Sequence, residues 1–151
     1  MTDNKKKKII HIHLEKDNYK TVMTAGNHEL ISDEPEEAGG GDTGPDPYDY
    51  LLMALGSCSV ITMKMYADRK EWPVEDIYIE LRHYKDHAAD CDDCDDPKTK
   101  IDKIEKEVII KGSITEEQRD KLLEISKKCP VHKTLLGTTE IETVLARISH
   151  K

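Results

Sequence analysis

The stretch that decides the fold reads DPYDYLLMALGSCSVITM and runs from Asp46 to Met63. Asp46 is a good helix N-cap, and Pro47 suits the first helical position. From Tyr50 to Met63 there is no charged residue, and apolar side chains fall on every face of the predicted helix. The pattern predicts a buried central helix that ends near Arg69, with an uncharged run too short to span a bilayer.

The residues before this helix predict a small β-meander. Residues 9–14 and 19–25 alternate and contain β-branched side chains, as half-buried strands do. Gly26 and Asn27 form a turn signal that leads into a third apolar stretch at residues 29–31.

The residues after the helix predict a hairpin, a helix and a closing strand. Residues 74–84 and 101–111 alternate and should pair antiparallel. Thr115 opens a capping-box pattern, and the helix that follows should end before Pro130. A short helical turn and a last strand over residues 141–148 complete the chain. The class is therefore α+β, with antiparallel sheets and a buried central helix.

Composition favours one domain that covers residues 1–151, because no long flexible linker divides the chain. Hydrophobic residues make up 36% of the sequence and aromatic residues 5%, with no phenylalanine, which is thin for a self-contained core. We therefore expect part of the apolar surface to be buried against a second copy of the chain.

The formal net charge of -8 argues against a nucleic-acid partner, which would require a concentrated basic surface. The basic run at residues 5–8 is interpreted as a solvated arm, and the apolar residues after it are too few for a signal peptide. We expect a cytoplasmic protein with no membrane partner. In that compartment its four cysteines are catalytic, redox-active or metal-binding rather than disulfide-forming.

Cys58 and Cys129 are the candidate redox residues, and each also has a plainer interpretation. Cys58 lies about three turns into the predicted helix, beyond the reach of the helix dipole, and by itself could be a small buried hydrophobe. Cys129 could simply end a helix. It has the better local chemistry for a thiolate, since cations and a possible helix start surround it: Lys127, Lys128, Pro130, His132 and Lys133.

Cysteine and histidine spacing also permits a structural zinc site. The two candidate ligand sets are Cys91, Cys94, Cys129 and His132, or His83, His87, Cys91 and Cys94. The aspartates around Cys91 and Cys94 fit a solvated hairpin tip equally well, so the zinc-structured domain is an alternative hypothesis.

Two long motif blocks contain the candidate cysteines. The first reads GGDTGPDPYDYLLMALGSC at residues 40–58 and continues as TMKMYADRK at residues 62–70. The second reads KCPVHKTL at residues 128–135, and the loop DCDDC at residues 90–94 lies between the blocks. Together the blocks resemble the OsmC/Ohr family, most closely its OsmC-like branch. The resemblance implies an OsmC-like fold in an intertwined homodimer, with active sites built from both subunits.

The resemblance also implies an antioxidant function, the thiol-dependent reduction of organic hydroperoxides in oxidative stress. Cys58 would be the peroxidatic residue and Cys129 the resolving one, with a dithiol reductant such as a lipoyl-type protein or a small thiol, and no cofactor. The local analysis instead favours Cys129 as the more acidic thiol. The alternative is a module of the same fold that binds a small molecule or thiol without peroxidase activity.

The chain departs from the Ohr pattern at the supporting positions. Ohr-type members use an arginine from the amino-terminal strands, whereas the first arginine here is Arg69. Lys20 is the candidate replacement, although lysine lacks the bidentate fork of arginine. Tyr48 stands where the Ohr glutamate would fall, with Asp49 beside it. We therefore add Lys20, Tyr48, Asp49 and His132 as supporting site residues.

Overall fold

The computed structural model describes residues 7–87 and 100–146. Its strands are β1 (Ile10–Leu14), β2 (Thr21–Ala25), β3 (His28–Ser32), β4 (Val74–His87) and β5 (Lys100–Gly112), and its α-helices are α1 (Pro47–Arg69), α2 (Glu116–Ser126) and α3 (Pro130–Leu136). A short 3-10 helix covers Glu36–Ala38. The predicted α+β class is confirmed.

The chain divides into two compact units, Met1–Met53 and Ala54–Lys151, with the boundary inside α1. The single domain over residues 1–151 stays a prediction. In the first unit, β2 pairs antiparallel with β1 on one side and with β3 on the other, as the sequence predicted. Gly26 turns the chain between β2 and β3 with a φ of 61°, which glycine adopts at little steric cost.

Side-chain caps fix where the first two helices begin. At the start of α1, Asp46 Oδ1 accepts from the Asp49 N–H at 2.9 Å, and Asp49 Oδ2 accepts from the Asp46 N–H at 3.1 Å. At the start of α2, Thr115 and Gln118 form the reciprocal capping box that the sequence predicted. These caps satisfy backbone donors that a helix start otherwise leaves unpaired.

One stripe of α1 provides the helical side of the second unit's core. Its buried members are Leu55, Gly56, Ser59, Met63 and Ala67. Residues three or four apart share a helix face, so these side chains point the same way. Met63 and Ala67 join a buried cluster with residues that follow β5 or lie in α2, namely Ile114, Leu122 and Ile125.

The other faces of α1 are exposed in the single chain. The side chain of Ile61 is 52% exposed and that of Met65 is 63% exposed. The prediction of burial on all sides is therefore wrong for the single chain, because a helix in one layer can cover only one stripe. Within the described residues, α1 passes the length and hydropathy test for crossing a membrane, a test that core helices also pass. At 23 residues it is longer than the uncharged run alone.

Strands β4 and β5 form a long antiparallel hairpin, as predicted. Alternate residues of β5, among them Ile104, Lys106 and Val108, are less exposed than their neighbours. Lys106 lies opposite Leu81 in the register. A Cβ atom added at Gly56 of α1 would come within 2.8 Å of Leu81 Cδ1, so glycine permits the close approach of helix and hairpin.

The predicted closing strand does not form in its described part. Residues 141–146 have no regular secondary structure. Ile141, Val144 and Leu145 are 83%, 79% and 92% exposed. Alternating apolar residues suit a strand, but a strand also needs a hydrogen-bonding edge, and residues 141–146 pair with none in the described chain.

Candidate active site

Cys129 caps the start of α3 with its sulfur. Its backbone is extended, with φ -64° and ψ 143°, and Pro130 occupies the first turn. The Cys129 Sγ atom accepts a hydrogen bond from the His132 backbone N–H at 3.2 Å. Proline suits this position because its φ is already helical and it has no N–H to leave unpaired. The helix start predicted at Pro130 is confirmed.

Cys58 brings the second thiol to the same place from α1. It is half-buried, whereas Cys129 is fully buried, and both are free cysteines. The Cys58 thiol is close enough to Cys129 to lower the pKa of the Cys129 thiol. The structure therefore brings the two candidate redox residues to one site.

Ser59 adds a hydroxyl to the sulfur of Cys129. Its side chain is completely buried, and Ser59 Oγ lies 3.6 Å from Cys129 Sγ as a donor. Because Ser59 follows Cys58 on α1, one helical turn supplies both a thiol and a hydroxyl to Cys129. The sulfur thus has two hydrogen-bond donors, the Ser59 hydroxyl and the His132 backbone N–H, and the Cys58 thiol lies near it.

Lys106 of β5 connects the helices around this pair. Its ammonium donates to Ser59 Oγ at 3.1 Å and to the Ser126 carbonyl oxygen at 3.2 Å. The Lys106 Nζ atom also lies 3.0 Å from His132 Nδ1. An ammonium has three donors and no acceptor, so these contacts use its full hydrogen-bonding capacity.

The surroundings of Cys129 favour its thiolate. Burial raises the pKa of this thiol, because it disfavours the charged form. The hydrogen bonds from the His132 backbone N–H and the Ser59 hydroxyl lower the pKa, and the nearby Cys58 thiol and the charge of Lys106 lower it further. The balance leaves the pKa of Cys129 below its ordinary value, in the direction that the cations around it in the sequence indicated.

Lys106 and His132 both have lowered pKa values. Burial is the main cause for Lys106, opposed by the charges of Cys129 and Cys58 and assisted by that of Lys127. Burial also lowers the pKa of His132, followed by the charges of Lys106 and Lys127. The site therefore favours a neutral imidazole beside the lysine.

The other predicted supporting residues lie in the unit that ends at Met53. Lys20 is exposed and directly precedes β2. Tyr48 is 53% exposed in the first turn of α1. Asp49 is engaged in the cap with Asp46. Their supporting roles stay predictions.

The zinc hypothesis falls largely on residues that are not described. Cys91 and Cys94 lie outside the described residues. Within residues 7–87 and 100–146, no group of three or more metal-ligating side chains occurs. Of the first ligand set, Cys129 and His132 are hydrogen-bonded to one another, and His132 also contacts Lys106. Of the second set, His83 Nε2 lies 2.9 Å from Asp102 Oδ1.

Sequence reasoning missed Lys106, Ser59 and Ser126. A signal for Lys106 was present, because a lysine takes a place in β5 that alternation assigns to an apolar residue between Ile104 and Val108. Ser59 stands on the buried stripe of α1, but a serine next to a cysteine is too common a pattern to identify a site.

The family model for OsmC-like proteins matches residues 39–144. The chain belongs to the OsmC-like family. The match covers the α1 segment, the hairpin and both cysteines of the candidate site, so the resemblance in the two motif blocks is confirmed. A search of curated proteins finds no match.

Solved structures show the OsmC-like fold for this chain. An OsmC-like protein from Mycoplasma pneumoniae is 21% identical, with a TM-score of 0.65 over 88% of this chain and 89% of that one. An organic hydroperoxide resistance protein, OsmC, from Legionella pneumophila is 17% identical, with a TM-score of 0.62 over 86% and 89% of the two chains. Another organic hydroperoxide resistance protein, from Elizabethkingia anophelis, is 14% identical, with a TM-score of 0.62 over 85% and 86%.

Proposed function

We propose that this OsmC-like protein reduces organic hydroperoxides with a pair of thiols, Cys58 and Cys129. The observation that carries the proposal is that both thiols lie at one site, where the Ser59 hydroxyl and the His132 backbone N–H donate to Cys129 Sγ and lower the pKa of Cys129. Two family members with this fold are named as organic hydroperoxide resistance proteins, which supports this class of substrate.

Burial suggests which thiol meets the peroxide. Cys58 is half-buried and so offers a path to a substrate, whereas Cys129 has no accessible surface. We therefore assign Cys58 as the peroxidatic residue and Cys129 as the resolving residue. The lowered pKa of Cys129 suits the second role, because a thiolate is the form that attacks a sulfenic acid.

The proposed cycle has three balanced steps. The Cys58 thiolate attacks the hydroperoxide, the O–O bond breaks, and with one proton the products are a sulfenic acid on Cys58 and an alcohol. The Cys129 thiolate then attacks the Cys58 sulfur, forming a disulfide and releasing hydroxide, which takes up a proton to become water. A dithiol, from a lipoyl-type protein or a small molecule, reduces the disulfide and becomes oxidised itself.

We also propose that the protein works as a homodimer. Ile61 and Met65 on α1 are more than half exposed in the single chain, as are Ile141 and Leu145. Such apolar surface is typical of subunit interfaces. Sedimentation analysis tests this proposal, and a monomer at all accessible concentrations would contradict it.

The test of the activity is steady-state consumption of an alkyl hydroperoxide with a dithiol donor, together with intact mass and thiol count after a small excess of peroxide. Wild type should lose two thiols. Cys129→Ser should accumulate one oxygen on Cys58, and Cys58→Ser should stay unoxidised at Cys129.

The matched control is the double variant Cys91→Ser and Cys94→Ser, which leaves the proposed pair as the remaining cysteines. It should turn over peroxide like wild type. Unchanged thiols and no turnover with any alkyl hydroperoxide would refute the peroxidase and favour a binding module of the same fold.

A further inference from the structure

We propose that Lys106 is a positioning residue of this site, which orients the Ser59 hydroxyl and holds the His132 ring so that donors are presented to the Cys129 sulfur. The proposal deepens the proposed function and rests on it for the purpose of the thiol pair. Lys106 acts on the Cys129 sulfur through these two neighbours and through its positive charge.

The location of Lys106 is unusual for a lysine. It lies opposite Leu81 in the hairpin register and takes an inner position between Ile104 and Val108. A methionine or leucine would suit the packing at such a position, and burial of an ammonium there is unfavourable unless it is hydrogen-bonded. Its ammonium reaches three acceptors, one each on α1, α2 and α3.

The chemistry of the ammonium sets the direction of each hydrogen bond. Since Lys106 can only donate, Ser59 Oγ accepts from it, and the serine proton is left to point at Cys129 Sγ. Similarly, His132 Nδ1 must accept, so the ring proton lies on Nε2. The His132 backbone N–H, which contacts the same sulfur, belongs to the residue whose ring Lys106 holds.

The positive charge of Lys106 also favours the thiolate of Cys129. The titratable groups that influence Lys106 are Cys129 and Cys58, which favour its charged form, and Lys127, which opposes it. His132 faces it as a neutral acceptor. A thiolate at Cys129 and an ammonium at Lys106 therefore stabilise one another, with the serine hydroxyl between them.

The experiment compares Lys106→Met, Lys106→Gln and wild type by NMR without peroxide. The β-carbon shift of Cys129 is followed against pH to obtain its thiolate-to-thiol ratio, and the ring nitrogen shifts of His132 report its tautomer. Lys111→Met is the control, because Lys111 is exposed on the same strand with its Nζ atom 5.1 Å from the Tyr78 ring centroid.

We expect Lys106→Met to lower the thiolate-to-thiol ratio of Cys129 about tenfold or more near neutral pH, since loss of a nearby opposite charge raises the pKa of a thiol. The His132 ring should also lose its fixed tautomer. Lys106→Gln should lower the ratio as well, because it keeps donors without the charge. Lys111→Met should match wild type.

A folded Lys106→Met or Lys106→Gln variant with the wild-type ratio and the wild-type tautomer would overturn the proposal. If Lys106→Met does not fold, Lys106→Gln decides alone. Because no peroxide is used, a shifted ratio in a protein that fails to turn over hydroperoxide would support Lys106 while refuting the proposed function.

Discussion

Lys106 Nζ lies 3.0 Å from His132 Nδ1, and this contact fixes the protonation state of the ring. The ammonium has no lone pair to offer, so Nδ1 must accept and the imidazole must be neutral with its proton on Nε2. Burial, followed by the charges of Lys106 and Lys127, lowers the pKa of His132 in the same direction. Protonation of this ring would place a second cation against the lysine.

The first prediction concerns the pH dependence of stability. The folded-state pKa of His132 is below its unfolded value of about 6.5. Between these two pKa values the unfolded chain binds more protons than the folded chain. The free energy of unfolding should therefore fall as pH decreases below about 6.5, and His132→Gln should make that decline shallower. Urea unfolding at a series of pH values measures both slopes, and identical slopes would contradict the prediction.

The second prediction concerns the hydroxyl of Ser59. Ser59→Ala removes a donor to Cys129 and an acceptor of Lys106, so the thiolate-to-thiol ratio of Cys129 should fall roughly tenfold near neutral pH, as expected for a charge-assisted hydrogen bond. The control is Ser57→Ala, since the exposed Ser57 Oγ donates to the Ala54 carbonyl at 3.2 Å. NMR titration of the cysteine β-carbon measures the ratio, and equal effects of the two variants would argue against the role of Ser59.

The third prediction separates the two sides of α1. Met63 is completely buried in the core, so Met63→Ala should lower the free energy of unfolding by about 2–5 kcal/mol at any protein concentration. Met65 is 63% exposed in the single chain, so Met65→Ala should act mainly on association of the proposed homodimer and therefore depend on concentration. Denaturant unfolding at several concentrations distinguishes them. If both variants lost the same free energy of unfolding at every concentration, the exposed face of α1 would not be the dimer interface.

The fourth prediction concerns the cap of α1. Asp46→Ala removes the acceptor for the Asp49 N–H and should lower the free energy of unfolding by about 1 kcal/mol. The control is Asp68→Ala in the same helix, which breaks an exposed pair with Lys64 and should lose at most about 0.5 kcal/mol. Thermal unfolding of both variants provides the comparison. A loss for Asp46→Ala no larger than for the control would show that the cap does not determine where α1 begins.

Much of the fold could be predicted because it depends on local rules. Helix α1 begins at Pro47 and helix α3 begins at Pro130, each directly after a capping residue. These starts could be predicted because proline and the cap act on backbone groups within a few residues. The alternation of apolar and polar residues identified β4 and β5, because this pattern is also local to each strand. The strand expected over residues 141–148 is wrong in its described part, because pairing depends on a partner edge and not on the segment itself.

The sequence alone determined the helices, the strands before residue 141, the family resemblance and the two candidate cysteines. Only the tertiary structure decided that Cys129 lies at one site with the Cys58 thiol and the Ser59 hydroxyl, and that the cation beside them comes from Lys106 of the hairpin. The reason is physical: pKa values and hydrogen-bond directions depend on groups that are close in space. Residues distant along the chain supply those groups, and local sequence patterns do not indicate which of them will be close together in the folded chain.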